Sequence, residues 1–369
     1  MNLEKKKVNI RLLYNENHLG VSPLALRALS EYVEHSNRYP INTLAKLLSY
    51  LHNLYDLPFY NFDSLYDEKV FFEVEKESKI LLGVGSTEIL RAVALCYGKG
   101  GGEIIEASPA YSFVSSSAKQ IWGNSIKIVN VPLSIDYRHD WKSFVKVLSP
   151  NTKVVVVTNP NNPTGTALSY DELVLLADNL ENDILLVIDE AYIELATTPD
   201  VRSMVDLTKH RSNILITRTF SKFYGLAGLR LGYGIGSACV IEKIRNYLVG
   251  LMGINKLAAV AAYASLKDRD YQNRTVEMVN QGKKKMMAEL INYNFQPIPS
   301  ETNFIWVNVK QDCKQLIHYL RSEGIYVASG YRWSQPDHIR ISIGEPSEMD
   351  SLISALAPFR VKKELIYTL

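Results

Sequence analysis

Between about residue 80 and residue 240, short β-rich apolar runs alternate with helical stretches, and this alternation leaves the chain few folds to adopt. Parallel strands cannot be joined by tight hairpins, so each pair needs a crossover, and a helix is the common one. The runs fall at 103–106, 126–129, 153–158, 184–189, 214–217 and 231–235, with a helical pattern such as 170–180 between several of them. Stretches such as the four valines at 154–157 are apolar without alternation, as expected of strands covered on both faces. The expectation is an α/β chain built on a mostly parallel, doubly wound sheet.

After Ala238 the pattern changes. A long helical region at 240–294 precedes strand, helix and strand at 303–309, 313–323 and 338–343, which suggests a smaller α+β domain. The amino-terminal segment, with LLYNEN and a helical stretch at 23–36, is too short to fold alone and is expected on that smaller domain. The chain of 369 residues suits two such units, divided as a large domain at 45–240 and a small one at 1–44 plus 241–369. The aromatic, acidic and irregular segment 55–78 reads as an exposed insertion.

Charge narrows the function. With 41 basic against 39 acidic residues the formal charge is +2, so no field draws the whole molecule onto nucleic acid or a membrane, and small-molecule chemistry is favoured. The Lys283-Lys284-Lys285 run sits in a helical stretch and reads as a solvated face. Cys96, Cys239 and Cys313 are few and far apart, which fits buried thiols in a reducing compartment and neither disulfides nor a metal site. No signal peptide and no run long enough to span a bilayer is evident, so the expected location is the cytoplasm.

In open parallel sheets, ligands bind beyond the carboxyl ends of the strands, and four motifs fall there. Gly83-Val84-Gly85-Ser86-Thr87-Glu88 stands before a helical run. Its glycines and free N–H groups suit a phosphate, although a plain helix cap gives the same pattern. Asn159-Pro160-Asn161-Asn162-Pro163-Thr164-Gly165 follows the valine run and resists helix, so it forms a defined loop that can offer the Asn162 amide to a ligand. Asp189 ends a wholly apolar strand, where a carboxylate needs a cation or strong donors unless it serves as an N-cap. Tyr192 follows three residues later. Last, Thr219, Ser221 and Arg230 bring two hydroxyls and a guanidinium around Lys222, equipment for a phosphate dianion beside a lysine that desolvation would turn into a nucleophile.

With these motifs in order, the chain resembles the class I/II aminotransferases, and within them the histidinol-phosphate aminotransferase branch. LLYNEN, Asn37-Arg38-Tyr39-Pro40, GSTE, Pro109-Ala110-Tyr111, NPNNPTG, VIDEAYIE, RTFSKFYGLAGLRLGY, SETNFI and HIRISIG carry the resemblance over nearly the whole length. It implies the fold type I of pyridoxal-phosphate (PLP) dependent transferases and an enzyme that moves the amino group of an amino acid or similar donor to a 2-oxo acid such as 2-oxoglutarate. It further implies that Lys222 holds PLP as a Schiff base and shuttles a proton, and that Asp189 pairs with the pyridinium nitrogen. Asn162 and Tyr192 would hold the ring's 3-oxygen and Tyr111 would stack on the ring. Ser86, Thr87, Thr219, Ser221 and Arg230 would bind the phosphate. Tyr39 would reach the phosphate of a neighbouring subunit, hence a homodimer with shared active sites. Arg340 would grip the substrate carboxylate, and Asn15 and Glu16 would lie in the segment covering the substrate.

One departure bears on the donor. Where that branch has an arginine for a substrate phosphate, this chain has Ala328, and Arg332 substitutes only if its loop folds back. Histidinol phosphate and a non-phosphorylated amino acid, aromatic or from a specialised pathway, are both open as donors. A PLP-dependent decarboxylase or oxidase would use the same cofactor residues. A catalytically inactive binding protein should have lost one of Lys222, Asp189 or Arg230, and all are present. A nucleotide-binding oxidoreductase would need a glycine fingerprint that GVGSTE does not match.

Overall fold

The computed structural model describes residues 9–59, 73 and 75–361. Its larger sheet contains β2 (Ile80–Gly83), β3 (Gly102–Ser108), β4 (Ile126–Pro132), β5 (Thr152–Thr158), β6 (Leu185–Asp189), β7 (Ile214–Thr219) and β8 (Gly232–Gly236), in the order β2-β8-β7-β6-β5-β3-β4. Neighbours among β3 to β7 pair in parallel, and β8 runs antiparallel to both β2 and β7. Every residue of β6, β7 and β8 is buried, and in β6 this shows in the sequence as a continuous apolar run up to Asp189. β2 escaped the sequence reading because four residues are too few to show a period.

The crossovers include α3 (Ser86–Gly98), α4 (Phe113–Trp122), α5 (Trp141–Lys146) and α6 (Tyr170–Asp178). α6 starts with a reciprocal capping box between Ser169 and Glu172. The chain steps outward from β3 to β4 and then returns to the other side of β3 as β5. That reversal opens a crevice at the carboxyl ends of β3 and β5.

The smaller sheet has the order β1-β11-β12-β10-β9, formed by β1 (Ile10–Leu12), β9 (Gln296–Ile298), β10 (Phe304–Asn308), β11 (Ile325–Ser329) and β12 (His338–Ser342). Helices α10 (Lys314–Ser322) and α11 (Pro346–Leu356) bury Leu316, Leu320 and Leu352 in one core with Ile305, Val307, Ile339 and Ile341. This is the expected α/β architecture with a smaller α+β unit.

Three details differ from the sequence reading. The helical region at 240–294 is three helices, α7 (Ala238–Arg245), α8 (Lys256–Lys267) and α9 (Arg269–Asn292). Asn255 and Asp268 interrupt it, because each side chain accepts hydrogen bonds from the first N–H groups of a new helix. The amino-terminal segment is also divided between the two cores. β1 pairs with β11, but α1 (Pro23–Tyr32) packs its Ala25 into the core of the larger sheet beside Ala258, Ala261 and Ala262 of α8. Small residues let those helices approach closely, and Ser22 Oγ donates to Asp268 at 2.6 Å. Packing therefore does not follow the boundaries at 44/45 and 240/241. Lastly, Cys313 is buried, but Cys239 is exposed at the start of α7. Of the segment 55–78, residues 60–72 and 74 lie outside the described residues. Among those described, no helix is long and apolar enough to cross a membrane.

Candidate active site

A cavity of about 540 Å³ lies where the carboxyl edge of the larger sheet meets one face of the smaller sheet. Topology brings the motifs together there. Ser86 and Thr87 open α3 after β2, Tyr111 follows β3, Asn162 follows β5, Asp189 ends β6, and Thr219 ends β7 with Ser221 and Lys222 just beyond it. Arg230 reaches the same edge because β8 runs in reverse, so its start lies beside the other strands' ends. From the smaller sheet come Arg340 on β12 and Arg332 and Trp333 on the turn after β11, while Tyr14, Asn15 and Glu16 follow β1.

At one end of the cavity the groups suit an anion. Arg230 directs Nη1 to Ser221 Oγ and Nη2 to Thr87 Oγ1, each at 3.4 Å, and Thr219 Oγ1 donates to Ser221 Oγ at 3.0 Å. Two glycines make the arrangement possible. Gly85 has φ +74°, and a Cβ there would stand 2.5 Å from Arg230 Nη2. A Cβ on Gly232 would come within 2.2 Å of the Ser86 amide nitrogen, so the strand passes hard against the amino end of α3. Free N–H groups, three hydroxyls and a guanidinium form a cradle for a phosphate.

At the centre stand Asp189 and Lys222. Asp189 is 3% exposed and accepts a hydrogen bond from Thr217 Oγ1 at 2.9 Å. Burial pushes its carboxyl up to about 6, with the Thr217 bond pulling it down and neighbouring Glu190 pushing it further up. A buried cation would relieve it. Lys222 donates from Nζ to the Tyr14 carbonyl at 2.7 Å. Burial, aided by the Arg340 and Arg230 guanidinium groups and opposed by Glu16 and Asp189, lowers its ammonium to about 8. Such an amine gives up its proton far more readily than an ordinary lysine and, once neutral, can act as nucleophile or base.

At the other end, Arg340 is 4% exposed and donates to Asn162 Oδ1 at 2.5 Å and to the Leu13 carbonyl at 2.6 Å. Its guanidinium carbon lies 5.2 Å from the Phe304 ring centroid and 5.1 Å from that of Trp333. Its Nε is buried without a partner in the protein, and no carboxylate neutralises it among the described residues. Asn15 also joins the halves of the site. Asn15 Nδ2 donates to the Tyr192 hydroxyl at 3.0 Å, and the Asn15 backbone and side chain are both tied to Ser342 Oγ of β12. Burial raises the Tyr192 hydroxyl and lifts Tyr111 to about 12, so both stay protonated donors.

Fifteen of the expected residues can be weighed against this cavity, and fourteen line it: Asn15, Glu16, Ser86, Thr87, Tyr111, Asn162, Asp189, Tyr192, Thr219, Ser221, Lys222, Arg230, Arg332 and Arg340. Tyr39 does not. It is 74% exposed and borders a separate cavity with Tyr32, Arg38 and Lys256. Ala328 is buried opposite Arg340 in the β11–β12 register and does not line this cavity. Sequence reading missed Thr217, Phe113, Tyr14 and Trp333. Thr217 alone had a signal, since a period of two along β7 sets it on the same face as Thr219.

The profile of the family "Aminotransferase class I and II" matches residues 50–356. A histidinol-phosphate aminotransferase of Moorella thermoacetica is 31% identical over 94% of this chain and 84% of its own. Histidinol-phosphate aminotransferase 2 of Pseudomonas fluorescens is 33% identical over 94% of this chain and 88% of its own. Among solved structures, the histidinol-phosphate aminotransferase of Sinorhizobium meliloti, in complex with pyridoxal-5'-phosphate, superposes with a TM-score of 0.82. The identity is 25%, over 95% of this chain and 90% of that one.

Proposed function

Because the chain belongs to the class I and II aminotransferases, we propose that its cavity holds PLP on Lys222 and Asp189 and takes the donor's anionic group on Arg340. The chain is a PLP-dependent aminotransferase. One observation carries the assignment of residues. A lysine lowered to about 8, a buried carboxylate raised to about 6 and an unneutralised buried arginine line the same cavity.

The residues fit the cofactor. The cradle formed by Ser86, Thr87, Thr219, Ser221 and Arg230 matches a phosphate dianion, with Gly85 leaving the room that a side chain would fill. Asp189, whose carboxylate is disfavoured by burial, matches a protonated ring nitrogen. Asn162 and Tyr192 offer an amide and a phenol to a ring oxygen, and Tyr111 offers a flat face. When bound, PLP supplies an electron sink for the pair released as the donor's Cα–H bond breaks.

The chain's own groups do the rest. Lys222 Nζ, whose neutral fraction is larger than that of an ordinary lysine, takes the proton from the donor's α-carbon and would hand it on across the amino nitrogen to the cofactor carbon bound there. Arg340 fixes the donor's anionic group in a two-pronged grip, which Asn162 and the Leu13 carbonyl orient. Asn15 and Glu16 lie over the cavity and limit water. The acceptor in this reading is a 2-oxo acid such as 2-oxoglutarate.

For the donor, histidinol phosphate is supported by the relatives' names. An aromatic, non-phosphorylated donor is supported by Ala328, which offers no cation beside Arg340, and by the rings of Tyr14, Phe113 and Trp333 along the wall. Arg332 is the guanidinium left for a second anion. Tyr39, 74% exposed and outside this chain's own cavity, is left available to reach a partner's phosphate, which supports a homodimer with shared sites, and the cytoplasm is the location this reading assigns. The test is single-turnover absorbance of the PLP-loaded protein against histidinol phosphate and a panel of amino acids. Conversion to pyridoxamine phosphate by one donor names it, and an absence of bound PLP absorbance refutes the assignment.

A further inference from the structure

Behind Asp189, on the opposite side of the strands from the cavity, lies an ion cluster that the reaction does not touch. β6 and β7 pair with Asp189 opposite Thr217, and the Glu190 amide donates to the Thr217 carbonyl at 2.9 Å. Side chains alternate along a strand, so if Asp189 and Thr217 face the cavity, Glu190 and Arg218 face away from it. There Arg218 Nε donates to Glu190 Oε2 at 2.9 Å and Nη1 to Glu194 Oε1 at 3.0 Å. The side chains are 7%, 1% and 13% exposed for Arg218, Glu190 and Glu194. Glu190 also accepts from Ser203 Oγ at 2.8 Å and from the Met204 amide at 2.7 Å. Tyr55 lies over the Arg218 guanidinium at 5.7 Å.

We infer that Arg218 is a positioning residue for Asp189: by neutralising Glu190 it keeps Asp189 ionised against the cofactor's ring nitrogen. This rests on the assignment of Asp189 made above. The two carboxylates are neighbours in sequence, and an unpaired Glu190 charge would resist a second negative charge one residue away. Ser203 Oγ and the Met204 amide still donate to Glu190 when the arginine is gone, so the lost cation is felt as repulsion at Asp189. The other titratable groups facing Asp189 are Lys222, Tyr111 and Tyr192, and none of them contacts Arg218 by a hydrogen bond or ion pair.

The test uses the full-length chain carrying Lys222→Ala, so that PLP attachment is noncovalent, and measures PLP affinity by fluorescence titration across acid to neutral pH. Affinity falls as Asp189 takes up a proton. Relative to that parent, Arg218→Met moves the fall to higher pH by about one unit, and Glu190→Gln moves it to lower pH by roughly half a unit. Arg218→Lys keeps the charge and restores the parental midpoint. Opposite shifts from the two halves of one ion pair are what a merely structural role cannot give, since loss of packing weakens both variants alike. Shifts of the same sign, or none, overturn the inference. Should Arg218→Met not fold, Glu190→Gln and Arg218→Lys still decide it. Asp189→Asn separates the two readings: if it leaves the pH dependence intact, the Asp189 assignment itself fails. If it abolishes that dependence while the Arg218 and Glu190 variants leave it unmoved, only the present inference fails.

Discussion

The two sheets build the cavity in different ways. The larger one contributes strand ends: Asp189, Thr219 and Lys222 stand where β6 and β7 stop, and Asn162 stands on the loop after β5. The smaller one contributes a face: Arg340 projects from the middle of β12, between Phe304 of β10 and Trp333. Strand ends are where backbone groups and helix dipoles are unsatisfied, so they suit a fixed, charged cofactor. A face is a packed surface, so it suits recognition of a changing partner by shape and one buried cation.

If that division holds, substitutions at strand ends should damage chemistry and cofactor retention, and those on the face should damage substrate affinity. The largest effect is expected from Lys222→Ala, which removes the proton carrier and should cut transamination about 10²- to 10⁴-fold while PLP stays bound through the phosphate cradle. Near-normal single-turnover rates would remove Lys222 from its role. Next comes Asp189→Ala, expected to cut turnover about 10²-fold or more and to weaken PLP affinity, read by equilibrium dialysis. In the unaltered chain the same carboxyl takes up its proton below about pH 6, so affinity for a protonated ring should fall as pH drops through that value.

On the face, Arg340→Lys loses the two-pronged grip but keeps the charge. It should raise KM about 10- to 100-fold with kcat far less affected, and a loss confined to kcat would break the comparison. The smallest effect belongs to Arg332→Ala at the exposed rim. There the donor KM should rise roughly 3- to 10-fold for a phosphorylated donor and stay unchanged for an aromatic one, so the variant sharpens the choice between them.

The same contrast explains what the sequence made legible. Strand-end residues sit in short motifs, because a loop that must turn, expose amides and admit an anion uses Gly, Pro, Asn, Ser and Thr at fixed spacing. Asp189 stood out as a charge ending an apolar run, and Lys222 as a lysine among anion-binding groups. Face residues carry no such mark. Phe304 and Trp306 belong to a strand whose first four residues are all buried, so alternation does not tell which side chains look into the cavity. Trp333 is brought in only by the turn at Gly330–Trp333. Tyr39 resembled a cofactor contact, yet within this chain it borders another cavity. The division into two packing units was misjudged at α1, because Ala25 is one small residue meeting alanines of α8 more than two hundred positions away.

Strand β1 pairs with β11, matching Ile10 to Ile325 and Leu12 to Val327. During synthesis β1 therefore waits, without its partner strand, until β11, more than three hundred residues later, has left the ribosome. The residues just after β1, which supply the Tyr14 carbonyl to Lys222 and Asn15 to Tyr192, wait with it. A growing chain can thus lay down the strand ends that would grip a cofactor well before it can close the chamber around a substrate.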